Sequence, residues 1–275
     1  LISIYYENKV EQVTKYKIYA YVAIAGLLWS NWCEYKRLLG VDFGEYSLKQ
    51  YRYAKVYYRI VQDEFLSRQK GIMSKITRAI IMAAGKGTRM HPITETIPKP
   101  LIRVHGKRMI DTIIDALHEN GIDEIYVVVG YLKEAFQNLP NEVNGITLIE
   151  NPYFDTCNNI SSLYVAKDYI SNAIIIDGDQ IITDPTILFT EFINSGYNCV
   201  WQETDSKEWM LTLDDRFKVV SCSRNGGNHA WQLYGISRWT KEDGMKLKEL
   251  LELEFKEKKN TQIYWDDIAM FKHFD

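Results

Sequence analysis

Residues 78–89 read Arg78-Ala79-Ile80-Ile81-Met82-Ala83-Ala84-Gly85-Lys86-Gly87-Thr88-Arg89, and Pro92, Thr94, Pro98, Lys99 and Pro100 follow at once. Arg78 to Met82 is a short, mostly apolar run of buried-strand type, so the glycines fall where a first parallel strand would turn into a loop. Glycine there lets the backbone approach phosphates, and consecutive loop N–H groups can point at them with no side chain in the way. Arg89 and Lys99 add positive charge, so the stretch reads as a nucleoside-triphosphate site.

Neither common phosphate motif is present. The pattern G-x-x-x-x-G-K-[ST] is absent, and G-x-G-x-x-G fails because Met90 stands where the third glycine should be. A bare Gly-Lys-Gly also suits a surface turn, and the longer pattern decides between the two. Read as G-x-G-x-R-x-x-P-x-T-x-x-x-P-K-P, residues 85–100 resemble the signature of the nucleotidyltransferases that activate sugar phosphates and phosphocholine. The resemblance implies a nucleotide site built from Ala84, Gly85, Gly87, Thr88, Arg89 and Lys99, with Arg89 and Lys99 catalytic.

Working outward, apolar and helical stretches alternate after the loop. The pattern predicts a strand at 80–83, a helix at 109–120, a strand at 124–129, a helix at 133–139, a strand at 147–150, a helix at 159–168 and a strand at 173–176. That alternation predicts an α/β fold with a doubly wound, mostly parallel, Rossmann-like sheet. Ligands of such sheets sit beyond the carboxyl ends of the strands, where the glycine loop lies.

Ile174-Ile175-Ile176-Asp177-Gly178-Asp179 puts two carboxylates on that same rim. One or two carboxylates suffice for magnesium when substrate phosphates supply the remaining oxygens, although the run also suits a solvated turn. In the family it resembles, the second aspartate binds the metal, which carries over to Asp179. Near the end, Ile263-Tyr264-Trp265-Asp266-Asp267 on its own reads as an exposed acidic helix start. It resembles the family's Tyr-Trp-Asp motif, which implies a second Mg2+ ligand at Asp266 rather than Asp267.

The acceptor is suggested by Asn151-Pro152-Tyr153, Asn158-Asn159, Ser161-Ser162-Leu163-Tyr164, Glu208-Trp209, Tyr234-Gly235 and Tyr264-Trp265. These resemble stretches of bacterial phosphocholine cytidylyltransferases, and with the loop the likeness runs from residue 77 to about 270. It implies CTP and phosphocholine as substrates. Aromatic faces attract a quaternary ammonium that cannot hydrogen-bond, so Tyr131, Asn159, Tyr164, Trp209 and Trp265 are candidate substrate contacts, with Glu203 or Glu208 as counter-charge. The alternatives are a sugar-1-phosphate nucleotidyltransferase with the same loop and metal chemistry, and a catalytically silent regulatory module of the same fold.

The first 77 residues differ in character, with twelve basic against seven acidic residues, whereas the whole chain of 275 carries a net charge of −3. Apolar positions at three- and four-residue steps predict helices over 15–39 and 46–65, their aromatics in a core. Ala25-Gly26-Leu27-Leu28-Trp29 and Asp42-Phe43-Gly44-Glu45-Tyr46 resemble the C-terminal helices of bacterial choline kinases. No H-x-D-x-x-x-x-N loop accompanies them, so kinase activity is not expected. A natural fusion to a choline kinase domain would make chemical sense. The expected division is a helical segment at 1–69, a polar linker, and a nucleotidyltransferase domain at 76–275.

The basic residues are interleaved with tyrosines and form no dense tract, so nucleic-acid binding is not expected. Four scattered cysteines with no C-x-x-C pair suggest a reducing cytoplasm. The apolar run 18–29 is too short to span a bilayer.

Overall fold

The computed structural model describes residues 12–69, 73–214 and 217–271. The chain divides into two compact units, Leu1–Met73 and Ser74–Asp275. In the first unit, helices α1 (Gln12–Leu38) and α2 (Glu45–Gln69) pair as a hairpin. The seam is made by small residues: Gly26, Ser30, Cys33 and Ala54 are buried. A Cβ at Gly26 would stand 2.8 Å from the Gln50 carbonyl oxygen, so the helices meet backbone to backbone. The expectation of an aromatic core in this segment does not hold. A two-helix hairpin has one seam, small residues occupy it, and Tyr21, Trp29, Tyr51, Tyr53 and Tyr58 are left exposed.

The second unit holds one eight-stranded sheet. In chain order its main elements are β1 (Arg78–Ala83), α3 (Met109–Glu119), β2 (Glu124–Val129), β3 (Ile146–Glu150), α4 (Ile160–Val165) and β4 (Ala173–Asp177). Then come β5 (Gly196–Gln202), β6 (Met210–Leu213), β7 (Val219–Ser223), β8 (Ala230–Trp239), α5 (Lys241–Leu251) and α6 (Trp265–Phe271). Strands β3, β2, β1 and β4 lie side by side and parallel. Antiparallel β8 follows β4, its second half pairing with β4 and its first half with β6, while β5 pairs along its other edge and β7 closes on β6.

Side chains on a strand alternate between faces, and in the central strands both faces are buried. Ala79 and Ile81 of β1 and Ile174 and Ile176 of β4 pack with Ile110, Ile113, Ile114 and Leu117 of α3. Ile80 and Ile175 face the other way, toward Ile160 and Leu163 of α4, Leu247 and Leu251 of α5, and Trp265 and Ile268 of α6. This two-sided burial is why the parallel strands read as continuous apolar runs, and it matches the doubly wound expectation.

Two expected helices come out shorter. The stretch 133–139 is a 3₁₀ turn, Lys133–Phe136, followed by one helical turn, Leu139–Glu142. Pro140 cannot sit inside a helix and is placed at the start of a new one. The stretch 159–168 breaks into α4 and a 3₁₀ turn at Lys167–Tyr169.

Ile113 is fully buried between α3 and the sheet. Ile113→Ala is expected to lower unfolding free energy by about 2–5 kcal/mol, read as a shift of the urea midpoint with little change in slope; a loss below about 1 kcal/mol would contradict this packing.

Candidate active site

The turn after β1 is held by its own hydrogen bonds. The Thr94 hydroxyl, fully buried, donates to the Gly87 carbonyl at 2.9 Å, and the Tyr131 N–H donates to the Ala84 carbonyl at 3.1 Å. Ala84, Gly85, Gly87 and Thr88 thereby line a cavity of about 390 Å³ at the carboxyl edge of the parallel strands. A second cavity, of about 880 Å³, opens beside it over β8. The two share Arg89, Lys99, Asn159, Asp177 and Asp179. These five residues therefore mark the junction where the contents of the two spaces would meet.

Strand parity places the first carboxylate. Asp177 shares the face of Ile175, the one covered by α6, whereas Asp179 lies beyond the strand end and takes an ion pair from Lys99 at 2.5 Å. Asp266 arrives from α6. The tie is Asn159, whose side-chain oxygen accepts the Trp265 N–H at 3.0 Å and so fixes the start of that helix beside α4. Asn151, buried, anchors α4 in turn: its amide donates to the Ser161 and Ser162 hydroxyls, each at 3.0 Å, and its oxygen accepts the Tyr153 N–H. Asn151 is thus scaffold behind the site, while Ser161 and Ser162, which it holds, line the first cavity.

Electrostatics bind the three carboxylates into one group. Burial pushes the Asp177 carboxyl up to about 8, the charges of Asp266 and Asp179 adding to the rise and Lys99 opposing it. Burial also pushes Asp266 up to about 6, opposed by its own backbone N–H, the Tyr197 and Asn159 side chains and the Arg224 charge. Tyr197 is itself raised far above the ordinary phenol range by burial and by Asp266. Asp267, the neighbour of Asp266, points elsewhere: its carboxylate accepts the Tyr264 N–H at 3.0 Å and pairs with Arg224.

Of the residues singled out from sequence, Ala84, Gly85, Gly87 and Thr88 line the first cavity, Arg89, Lys99, Asn159 and Asp179 the junction, and Trp209, Trp265 and Asp266 the second cavity. Three lie outside both. The Tyr131 hydroxyl reaches back to the Glu95 carbonyl at 3.4 Å. Tyr164 stacks on Phe255 with centroids 4.4 Å apart, with Lys167 over its ring. Glu203 is exposed beyond the end of β5, while Glu208 lines the second cavity. Trp265 is only 4% exposed and packs against Tyr197 and Trp239, so it offers the cavity an edge rather than a face.

Sequence reasoning did not single out Tyr197 or Arg224; it named Asp177 as one of two rim carboxylates but carried the metal role to Asp179, and it named Gly235 and Tyr264 only within stretches that resemble the acceptor region. Strand alternation adds that Asp177 continues the Ile175 face. Nothing in the local sequence marks Arg224.

The family model described as "Nucleotidyl transferase" matches residues 78–200. A 2-aminoethylphosphonate cytidylyltransferase of Lancefieldella rimae is 39% identical over 202 residues, covering 73% of this chain and 82% of that protein. A choline-phosphate cytidylyltransferase of Streptococcus pneumoniae is 34% identical, covering 70% of this chain and 82% of its own. The solved CTP:phosphocholine cytidylyltransferase of Streptococcus pneumoniae superposes with a TM-score of 0.64 at 32% identity, over 71% of this chain and 84% of that one.

Gly235 on β8 lies against Asp177 so closely that a Cβ there would collide with the carboxylate. Gly235→Ala is expected to leave the far-UV circular dichroism intact while lowering nucleotide-dependent pyrophosphate release by about 100-fold, the scale of a 1 Å misplacement in a reacting site. Undiminished release would show that the position of Asp177 is of no consequence.

Proposed function

Because the chain belongs to the nucleotidyl transferase family and is an enzyme whose relatives are cytidylyltransferases, we propose that it transfers the cytidylyl group of CTP to phosphocholine, giving CDP-choline and pyrophosphate. The observation that carries this reading is the junction of the two cavities at Arg89, Lys99, Asp177 and Asp179, with the aromatic residues Trp209, Tyr264 and Trp265 lining the larger one. The smaller cavity, bounded by the glycine loop, suits the nucleotide. The larger one suits the acceptor.

The donor set fits magnesium. Among the described residues no group of three or more His, Cys, Asp or Glu side chains forms a closed metal site, whereas Asp179 and Asp266 line one cavity beside a loop suited to phosphates. Magnesium favours such a partial site, with one or two carboxylates completed by phosphate oxygens and water. Asp179 and Asp266 would hold the ion, which supplies neutralisation of the negative charge brought in by the two substrates.

In this reading an oxygen of the acceptor phosphate attacks the α-phosphorus in line and pyrophosphate leaves. Arg89 and Lys99 bind the triphosphate and stabilise the charge that moves onto the leaving group. Loop N–H groups fix the phosphates, so the barrier is lowered chiefly by positioning and electrostatics. No general base is needed, because a phosphomonoester is already ionised near neutral pH. Trp209 and Tyr264 offer the acceptor's ammonium their ring faces. The four cysteines are free thiols, which suits action in the cytoplasm. No helix among the described residues is long and apolar enough to cross a membrane.

A second reading takes 2-aminoethylphosphonate as the acceptor, and the Lancefieldella rimae relative at 39% identity favours it. Both acceptors carry a cation two carbons from a phosphorus group. They differ in whether that cation can donate hydrogen bonds.

The test measures pyrophosphate release with magnesium and CTP, offering phosphocholine, 2-aminoethylphosphonate or glucose-1-phosphate. The highest kcat/KM is expected with phosphocholine; a higher value with the phosphonate selects the second reading, and release with the sugar phosphate alone defeats both. Asp179→Ala is expected to lower kcat by at least about 100-fold, with the urea midpoint unchanged. Retained turnover in that variant removes the metal assignment.

A further inference from the structure

Arg224 directly follows β7 and lies in the larger cavity. Its guanidinium carbon sits 5.0 Å from the centre of the Trp209 ring and 5.2 Å from that of Tyr264, and the two rings meet edge to face at 4.9 Å. The same guanidinium is paired with the Asp267 carboxylate. A cation of this chain therefore already occupies the place where two aromatic faces and a carboxylate would attract one from outside.

We propose that Arg224 is a specificity-determining gate: it fills the cation seat formed by Trp209 and Tyr264, and a quaternary ammonium acceptor enters only by displacing it. The inference rests on the reading that these rings face the acceptor's cationic end. The quadrupole of each ring favours positive charge over its face, and two cations in one partly desolvated seat repel each other. Binding is thus an exchange of cations. The gate can open, because the Arg224 side chain is 43% exposed and ends a strand, so the guanidinium has solvent to swing into. Asp267 stays behind, only 12% exposed and held by the Tyr264 N–H. The incoming ammonium inherits both the rings and the carboxylate, and gains little over the group it expels. Wild-type affinity for a simple quaternary cation is accordingly low, so the gate selects acceptors whose phosphate end supplies the binding that the cation alone does not.

The decisive variant is Arg224→Ala combined with Asp267→Asn. It has the net charge of the wild type, so a change in cation affinity reports the emptied seat rather than a change of field, and the asparagine oxygen can still accept the Tyr264 N–H at the start of α6. Tetramethylammonium chloride is titrated at constant ionic strength, with tryptophan fluorescence as the readout. The double variant is expected to bind it about five- to thirtyfold more tightly than wild type, the range a desolvated cation–ring contact supports. Arg224→Ala alone, which leaves Asp267 charged and facing the seat, is expected to bind at least as tightly as the double variant and guards against a folding failure there. Equal or weaker binding in both variants overturns the gate. Turnover separates this from the functional reading: tightened binding with no CTP-dependent turnover of phosphocholine by wild type or variant keeps the gate and removes phosphocholine as acceptor, whereas turnover without tightening does the reverse.

Discussion

Asp179 and Asp266 both act on the buried Asp177 at the carboxyl edge of the parallel strands, and Lys99 and Arg224 oppose the charge gathered there. Carboxylates brought together in a partly desolvated place raise one another's proton affinity, and burial raises it further. The group is costly unless cations meet it, and the fold is arranged so that cations can: two cavities open onto it, one from the glycine loop and one from the antiparallel strands. Each structural feature nearby acts on this group. Gly235 leaves room for Asp177, Lys99 holds Asp179, and Asn159 fixes the helix that delivers Asp266.

Asn159 connects these parts in a way that no single motif reveals. It stands at the start of α4, accepts a hydrogen bond from the backbone of α6 more than 100 residues later in the chain, and lines both cavities. Its own anchor is the buried Asn151 network, which satisfies the polar groups around the α4 start. A buried polar network with its partners in place is stiff. The carboxylates are therefore positioned by hydrogen bonds between elements, in addition to the packing of apolar faces.

What was legible in the sequence follows from what is local. Each parallel strand is buried on two faces, so Ile80–Ile81 and Ile174–Ile176 announce themselves as apolar runs, and the loop and acidic motifs sit at their ends by continuity of the chain. The antiparallel half was not legible, since its strands alternate less cleanly and several of their residues are exposed. Of the aromatic residues expected to contact the acceptor, Tyr131 and Tyr164 lie outside both cavities and Trp265 is largely packed away. Tyr164 is taken up by Phe255, and Trp265 by Tyr197 and Trp239, because an aromatic residue beside a core is drawn into it. In the N-terminal hairpin the opposite happened. The pattern is helical, yet small residues own the seam, so periodicity identified the helices and misassigned their faces.

The pair Asp266-Asp267 shows how one helix start can serve two spaces. Successive residues on a helix are turned by about 100°, so neighbours of identical chemistry face different surroundings. Asp266 lines the cavity with Asp177 and Tyr197, and Asp267 turns to the Tyr264 N–H and to Arg224. The second aspartate accepts the N–H of the residue just before the helix, in the manner of a capping box, so its position is fixed by the helix whether or not Arg224 is paired with it. Through that one turn, the carboxylate beside Asp177 and the carboxylate that holds the guanidinium over Trp209 and Tyr264 are rigidly joined. Any movement of α6 that shifted one would shift the other, so in the proposed reaction the geometry of the transfer step is tied to the place where the acceptor's cation would sit.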